Sequence, residues 1–379
     1  VKGRLFGASE ESSISSKEND IIIPVNQPKA RLITALFEPE TYVFDSVTYD
    51  LTAWNLPLAY GLKGASLTSL PALKMQRDYV IDDAEVVSGS DYGYLLPYNS
   101  IASGKALTAI LNAGINVGVA DLPFEMDGIT YPQGTLIILK GNNLNKQNLG
   151  KTLSDIQSST NHAFVSVSTG YTPKGIDLGS NRVRKLKKKR IGILAGPGTS
   201  SYNAGELWYF FEQELKYPMT LLNVSDIRRM PLGDYDVLIM PDGSYSGMKS
   251  ELETLKKWVK EGGELVVIGA AIRNFADEEG DVIKTRIEKE PSEEQEFEST
   301  GNYGERFREN ATRSIPGAIF EVTMDNSHPM AYGYDSNYFT LKTSAFGPVK
   351  MTSGEVVGQL QTDPVPVNGF AGAEALEKL

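Results

Sequence analysis

The residues best placed for covalent chemistry lie between Arg190 and Asn274, and the position that should hold the reacting atom is blank. The strand RIGILAG leads into the glycine-rich turn PGTSSYNAG and a helix. The strand YDVLIMPDG, a second helix and the strand ELVVIGAAI follow. In α/β enzymes built on a sharp strand-to-helix elbow, the residue just past such a strand is the nucleophile, because the turn lifts its side chain out of the sheet. Here Ala270 and Ala271 stand at that place. A methyl group can neither attack a carbonyl nor accept a proton. The chain also contains no cysteine, so the thiolate chemistry usual for this layout is excluded.

The turns around the elbow form a candidate binding cleft. In GPGTSSYNAGE, Gly198, Ser200, Asn203 and Glu206 surround what reads as a helix N-terminus, where backbone N–H groups and the helix dipole favour an anion. The turn lacks the Gly-Lys-Ser/Thr ending of a nucleoside-triphosphate loop, and its glycines serve equally to permit a tight turn while Ser or Asn caps the helix. In PDGSYS, Asp242 and Ser244 follow the second strand, where backbone donors could face a developing oxyanion if a nucleophile were in reach. Ser244 or Ser246 could serve another chemistry, with Glu206 and His328 as the residue types able to complete a Ser-His-acid set. No spacing in the sequence shows that they meet.

Metal chemistry has little to build on. The only two histidines are His162 and His328, far apart, and neither has a glutamate three residues on. A metal site needs three or four ligands, mostly His or Cys. No metal ligand and no cofactor are assigned to this chain.

Two units are expected to position these residues. From Tyr92 to Ser168 the pattern runs strand, helix, strand, strand, helix, strand, with GYLLP, INVGVA, TLIIL and FVSVS as the strand-like segments. The helices carry Leu107, Ile110 and Leu111, then Leu149, Leu153 and Ile156. Strands alternating with helices favour a parallel sheet covered on both faces. Earlier in the chain, IIIPVNQPKARLITALFEPE predicts a buried-type strand and a short helix with Leu32, Ala35 and Leu36 on one face, and TYDLTAWNLPLAYGL predicts a helix ending or kinking near Asn55. After Arg190, Leu207, Phe211 and Leu215 mark one sheet-facing helix. Leu252, Leu255, Trp258 and Val259 mark another.

The resulting expectation is an α/β protein of two domains, each with a mostly parallel sheet flanked by helices, the second flavodoxin-like. Residues 1–20 read as a mobile lead-in, 21–180 as the first domain, 181–190 as a basic, solvated linker and 191–379 as the second domain. Within the second, the acidic stretch 276–312 reads as an exposed insertion. A chain of 379 residues exceeds what one core normally organises. The formal charge of −11 opposes broad affinity for nucleic acid or anionic membranes. The start VKGRLFGASE, with neither an initiator Met nor an apolar signal segment, reads as that of a fragment or processed product.

Several long blocks carry a resemblance. IIIPVNQPKARLITALFEPETYVFDSVTYDLTAWNLPLAYGL, GITYPQGTLIIL, VSTGYTPKGIDLGS, SYNAGELWYFFEQELKYPMT and IPGAIFEVTMDNSHPMAYGY occur in this order, spread over nearly everything after Ile21. Together they resemble the non-peptidase C-terminal half of large bacterial zinc carboxypeptidases. The resemblance implies a carboxypeptidase A-like domain upstream in the same polypeptide, holding zinc through a His-x-x-Glu pair and a later histidine. None of that pattern is present here. It also implies a last domain similar to class I glutamine amidotransferases without the working triad, and export to the periplasm or beyond. Three functions follow: an accessory region of a zinc carboxypeptidase without turnover of its own, a module whose cleft binds a peptide or carbohydrate, or a cryptic serine-type hydrolase.

Overall fold

A computed structural model describes residues 1–8, 10–15, 17, 20–41, 52–69, 89–277, 282–287, 303–344, 348–351 and 353–379. The architecture is mixed α/β with several separate sheets. One of them, five-stranded, is made by β4 (Gly93–Leu96), β5 (Gly118–Ala120), β8 (Leu136–Leu139), β9 (Val165–Val167) and β11 (Val183–Lys185) in the order β11-β5-β8-β4-β9. Every neighbouring pair in it is antiparallel.

That corrects the parallel sheet expected for this region. The strand-helix-strand units are present, but each is split. Helix α3 (Ile101–Asn112) joins β4 to β5 with β8 lying between them, and α4 (Leu149–Thr160) joins β8 to β9 with β4 between them. This is the split βαβ, ferredoxin-like connectivity. The continuous apolar runs arise because both faces of the sheet are covered, not because its strands are parallel. Tyr94, Leu96, Leu136 and Ile138 meet Ala106 and Ile110 of α3 and Leu149, Leu153 and Ile156 of α4 on one face. Leu95 and Ile137 point to the other face. There they meet Phe124, Met126 and Tyr131 from a small antiparallel sheet of β6 (Phe124–Met126), β7 (Ile129–Tyr131) and β10 (Lys174–Gly175). The start of α3 is fixed by a reciprocal pair of hydrogen bonds: the Ser103 amide donates to Ser100 Oγ at 3.3 Å and the Ser100 amide to Ser103 Oγ at 3.0 Å.

The second sheet is parallel: β12 (Ile191–Ala195), β13 (Met219–Asn223), β14 (Val237–Met240) and β15 (Glu264–Val267) in the order β13-β12-β14-β15. Sequence reading missed β13. Its alternation is weak because Thr220, Leu221 and Asn223 are exposed at the sheet edge. One face is covered by α6 (Lys249–Lys260) through Leu252, Leu255 and Trp258, as the helical stripe implied. Helix α5 (Ser201–Trp208) buries only Ala204, and the expected stripe of Leu207, Phe211 and Leu215 is only partly covered. The helix passes into a π-turn at Tyr209–Glu214, which shifts the four-residue register.

Elsewhere the outcome differs from the sequence reading in several places. The expected lead-in contains β1 (Lys2–Leu5) and β2 (Glu11–Ser13), which form a sheet with β3 (Ala65–Leu67). The segment IIIPV forms no strand, and Ile21, Ile23 and Val25 are exposed. Pro24 removes a donor from its middle. Helix α1 (Ala30–Leu36) forms but buries no residue. At Asn55 a helix begins instead of ending: its side chain accepts the Leu58 amide at 2.9 Å and caps α2 (Leu56–Ala59), with Pro57 in the first turn. Half of the supposed basic linker is β11 and the residues that lead into it, paired along β5. Residues 42–51, the last four of which begin the TYDLTAW block, and residues 278–281 and 288–302 of the acidic insertion lie outside the described residues. The described part of that insertion includes strand Ile283–Ile287 and helix Arg306–Thr312.

An antiparallel sheet near the C-terminus centres on β18 (Gly317–Met324), paired with Asn337–Lys342, Gly358–Leu360 and Asn368–Phe370. The N-terminal part of the chain joins it. The Ala53 amide donates to Gly317 O at 3.1 Å, Asn368 Nδ2 to Glu38 O at 3.2 Å, and the Gly369 amide to Thr41 Oγ1 at 2.8 Å.

Candidate functional site

The carboxyl ends of β12, β14 and β15 bring three turns together. After β12, Gly196 and Gly198 take positive φ values of +94° and +83°, a conformation glycine adopts without the Cβ clash of other residues. The second of these is also crowded, since a Cβ on Gly198 would lie 2.9 Å from Ser244 O. Thr199 bridges Gly243, and the Ser200 amide donates to Asp242 O at 2.9 Å. Ser200 is the N-cap of α5, its Oγ accepting the Asn203 amide at 3.4 Å. The turns after β12 and β14 are therefore joined by backbone hydrogen bonds.

A buried phenol closes this junction from below. Tyr245 is 1% exposed, donates to Pro241 O at 2.8 Å and lies 3.2 Å from Thr199 Oγ1. Burial pushes its ionisation above the ordinary phenol value, and the charge of Asp242 acts in the same direction. At neutral pH it is a hydroxyl that ties two turns, not a base.

The elbow after β15 turns at Gly269, not at either alanine. Gly269 has φ +60°, and a Cβ there would sit 2.7 Å from Asp242 Cγ. Ala270 follows in a 3₁₀ turn, and the methyl of Ala271 is fully buried in the core beneath β12 and β14. Asp242 Oδ1 accepts two backbone amides, Gly243 at 2.8 Å and Ala270 at 2.9 Å. In a working elbow the amide of the residue after the nucleophile, with one more from a neighbouring strand-to-helix loop, holds the oxyanion. Here Asp242 Oδ1 takes up the Gly243 and Ala270 amides at the ends of β14 and β15.

The remaining candidates are not assembled into a reacting set. Ser244 and Ser246 are exposed in the turn, and Glu206 is exposed one turn along α5 from Asn203. His328 is engaged elsewhere: its Nδ1 accepts the Met330 amide at 3.2 Å and its Nε2 lies 3.0 Å from Glu355. Among the described residues no hydrogen bond or ion pair joins Ser244, Glu206 and His328. His162 is held by Pro97 O at 2.9 Å. Among the described residues no group of three or more His, Cys, Asp or Glu is arranged to hold a metal ion, and no helix is long and apolar enough to cross a membrane.

Sequence reading identified the turns but missed the two features that define them. The glycine of ELVVIGAAI was a signal that the turn itself falls at Gly269. Nothing in the spacing foretold that Asp242 reaches across 28 residues to the Ala270 amide. Comparisons of the chain with protein-family models, with curated proteins and with solved structures give no match.

Proposed function

We propose that this chain is a non-catalytic accessory region of an exported zinc carboxypeptidase-like protein, in which zinc and peptide hydrolysis belong to a separate domain of the same polypeptide. The observation that carries the non-catalytic part is the Asp242 carboxylate seated on the Gly243 and Ala270 amides. An elbow that turns on a glycine has no attacking group, and a donor pair filled by a carboxylate cannot stabilise an oxyanion. A lost nucleophile leaves such a fold standing, because backbone geometry and sheet packing hold the elbow.

The accessory part rests on the ordered sequence blocks described above. The strand order β13-β12-β14-β15 also agrees with the 2-1-3-4 start of a flavodoxin-like sheet, as expected for a degenerate amidotransferase-like domain. The serine-hydrolase alternative has an exposed Ser244 but no base bonded to it.

Two measurements test the reading. Purified chain assayed with glutamine and with activated esters should show no turnover, and activity abolished by Ser244→Ala or Ser246→Ala would overturn the non-catalytic assignment. Joining the chain to a carboxypeptidase A-like zinc domain should change that domain's stability or kcat/KM. Identical values with and without the chain would overturn the accessory assignment.

A further inference from the structure

A separate cavity of about 370 Å³ lies between the five-stranded sheet and the connection that follows β18. Leu107, Val119, Leu136, Leu186 and Pro329 give it apolar walls, with Tyr98 and Tyr332 beside them. The connection is seated closely on the sheet: a Cβ on Gly134 would lie 2.7 Å from Tyr332 Cβ, and one on Gly333 would lie 2.4 Å from Tyr98 O. The connection and the sheet thus approach closely at these two glycines, and the volume of the space falls at the small end of the range for small-molecule pockets.

Two cationic residues of β11, Arg184 and Lys185, line the cavity, and Arg184 is the one on the strand face that looks into it. Along β11, side chains alternate between faces. Val183 packs into the core on the far side of the sheet, and Leu186 into the core on the helix side. Arg184 pairs in register with Val119, itself part of the helix-side core, so its side chain stands on the cavity side. Lys185, although it shares its strand parity with Val183, also lines the cavity. Among the described residues the Arg184 guanidinium has no hydrogen bond and no ion pair, although Arg182, two positions earlier, is matched with Asp121 at 3.2 Å. In a chain of net charge −11, this exposed guanidinium at the edge of an apolar cavity is accessible to an anion. The Tyr98 hydroxyl likewise has no protein partner among the described residues. Burial, with a further contribution from Tyr334, raises its ionisation above the ordinary phenol value, so it is a neutral donor at pH 7.

We propose that this cavity binds a small organic carboxylate with an aromatic or branched aliphatic body, the body between the apolar walls and the head group on Arg184. A single guanidinium matches a planar monoanion bidentately. The assignment is independent of the accessory role and of the turns around Asp242.

The test uses the full chain with 4-phenylbutyrate as probe and 4-phenylbutyramide as its neutral match, followed by calorimetry and by ligand-observed NMR. The carboxylate should bind, and the amide about tenfold more weakly, the loss expected for one charge-assisted contact. Arg184→Gln should bring the carboxylate down to the amide's affinity and leave the amide unchanged. Lys187→Gln, which removes a nearby exposed cation outside the cavity, should alter neither. Absence of binding at millimolar carboxylate, equal affinity for acid and amide, or equal effects of the Arg184 and Lys187 substitutions would each overturn the proposal.

Discussion

Replacing Asp242 by alanine should destabilise the junction at the carboxyl end of the parallel sheet. The side chain accepts the Gly243 amide at 2.8 Å and the Ala270 amide at 2.9 Å, so it fastens the turn after β14 to the elbow after β15. A hydrogen bond to a charged group contributes roughly 1.5–3 kcal/mol. The two bonds share one oxygen and the side chain is only half-buried, so water replaces part of what is lost. Taking the lower end for each gives a loss of about 2–3 kcal/mol for Asp242→Ala. Asp242→Asn retains an acceptor oxygen but no charge, and neutral bonds of about 1 kcal/mol each leave a smaller loss of roughly 1 kcal/mol. Ser244→Ala, at an exposed position in the same turn, should stay within about 0.5 kcal/mol of the parent. Urea unfolding followed by circular dichroism gives all three values. The reasoning fails if Asp242→Ala and Ser244→Ala unfold at the same midpoint, or if the asparagine variant is the less stable of the two Asp242 variants. None of the three should gain esterase activity, because freeing the amides restores donors but supplies no nucleophile.

Three further outcomes are expected. Gly269→Ala should cost roughly 1–3 kcal/mol, because it forces a Cβ onto a residue at φ +60° and against Asp242 Cγ; thermal unfolding measures it, and an unchanged midpoint would show that the elbow relaxes freely. Leu153→Ala, at a fully buried position in the core between α4 and the five-stranded sheet, should cost about 2–5 kcal/mol by denaturant titration. The Asp325 carboxylate, held below its ordinary ionisation first by the Ser327 hydroxyl, then by the Ser327 amide and the nearby His328, should titrate higher in Ser327→Ala. A depressed carboxylate stabilises the fold above its unfolded value, and that contribution is lost as pH falls through the folded one. The difference between parent and variant should therefore vanish in strong acid, as NMR titration would show.

How much of this was legible depends on how far apart the interacting residues are. Local signals were readable: the Leu149, Leu153, Ile156 stripe, the Leu252, Leu255, Trp258 stripe, and the strands IGILA, VLIM and ELVV, each fixed by periodicity within one element. The direction of the first sheet was not. Gly-Tyr-Leu-Leu and Leu-Ile-Ile-Leu are apolar on both faces whichever way they run, and the small sheet of β6, β7 and β10 that covers the second face carries no long-range mark in sequence. Insertion of β8 between β4 and β5 is decided by pairing across the sheet, which no local spacing reports. The same limit governs the site. Two alanines after ELVVIG suggested a missing nucleophile from residue type alone, whereas the turn itself falls one residue earlier, at Gly269. That Asp242 fills the donor pair depends on a contact between two different strand ends, as does the cavity beside Arg184, whose walls come from β5, β8, β11, α3 and the connection after β18. Contacts of this kind, made between the ends of separate strands, are visible only in the structure, and the Asp242 substitutions probe one of them.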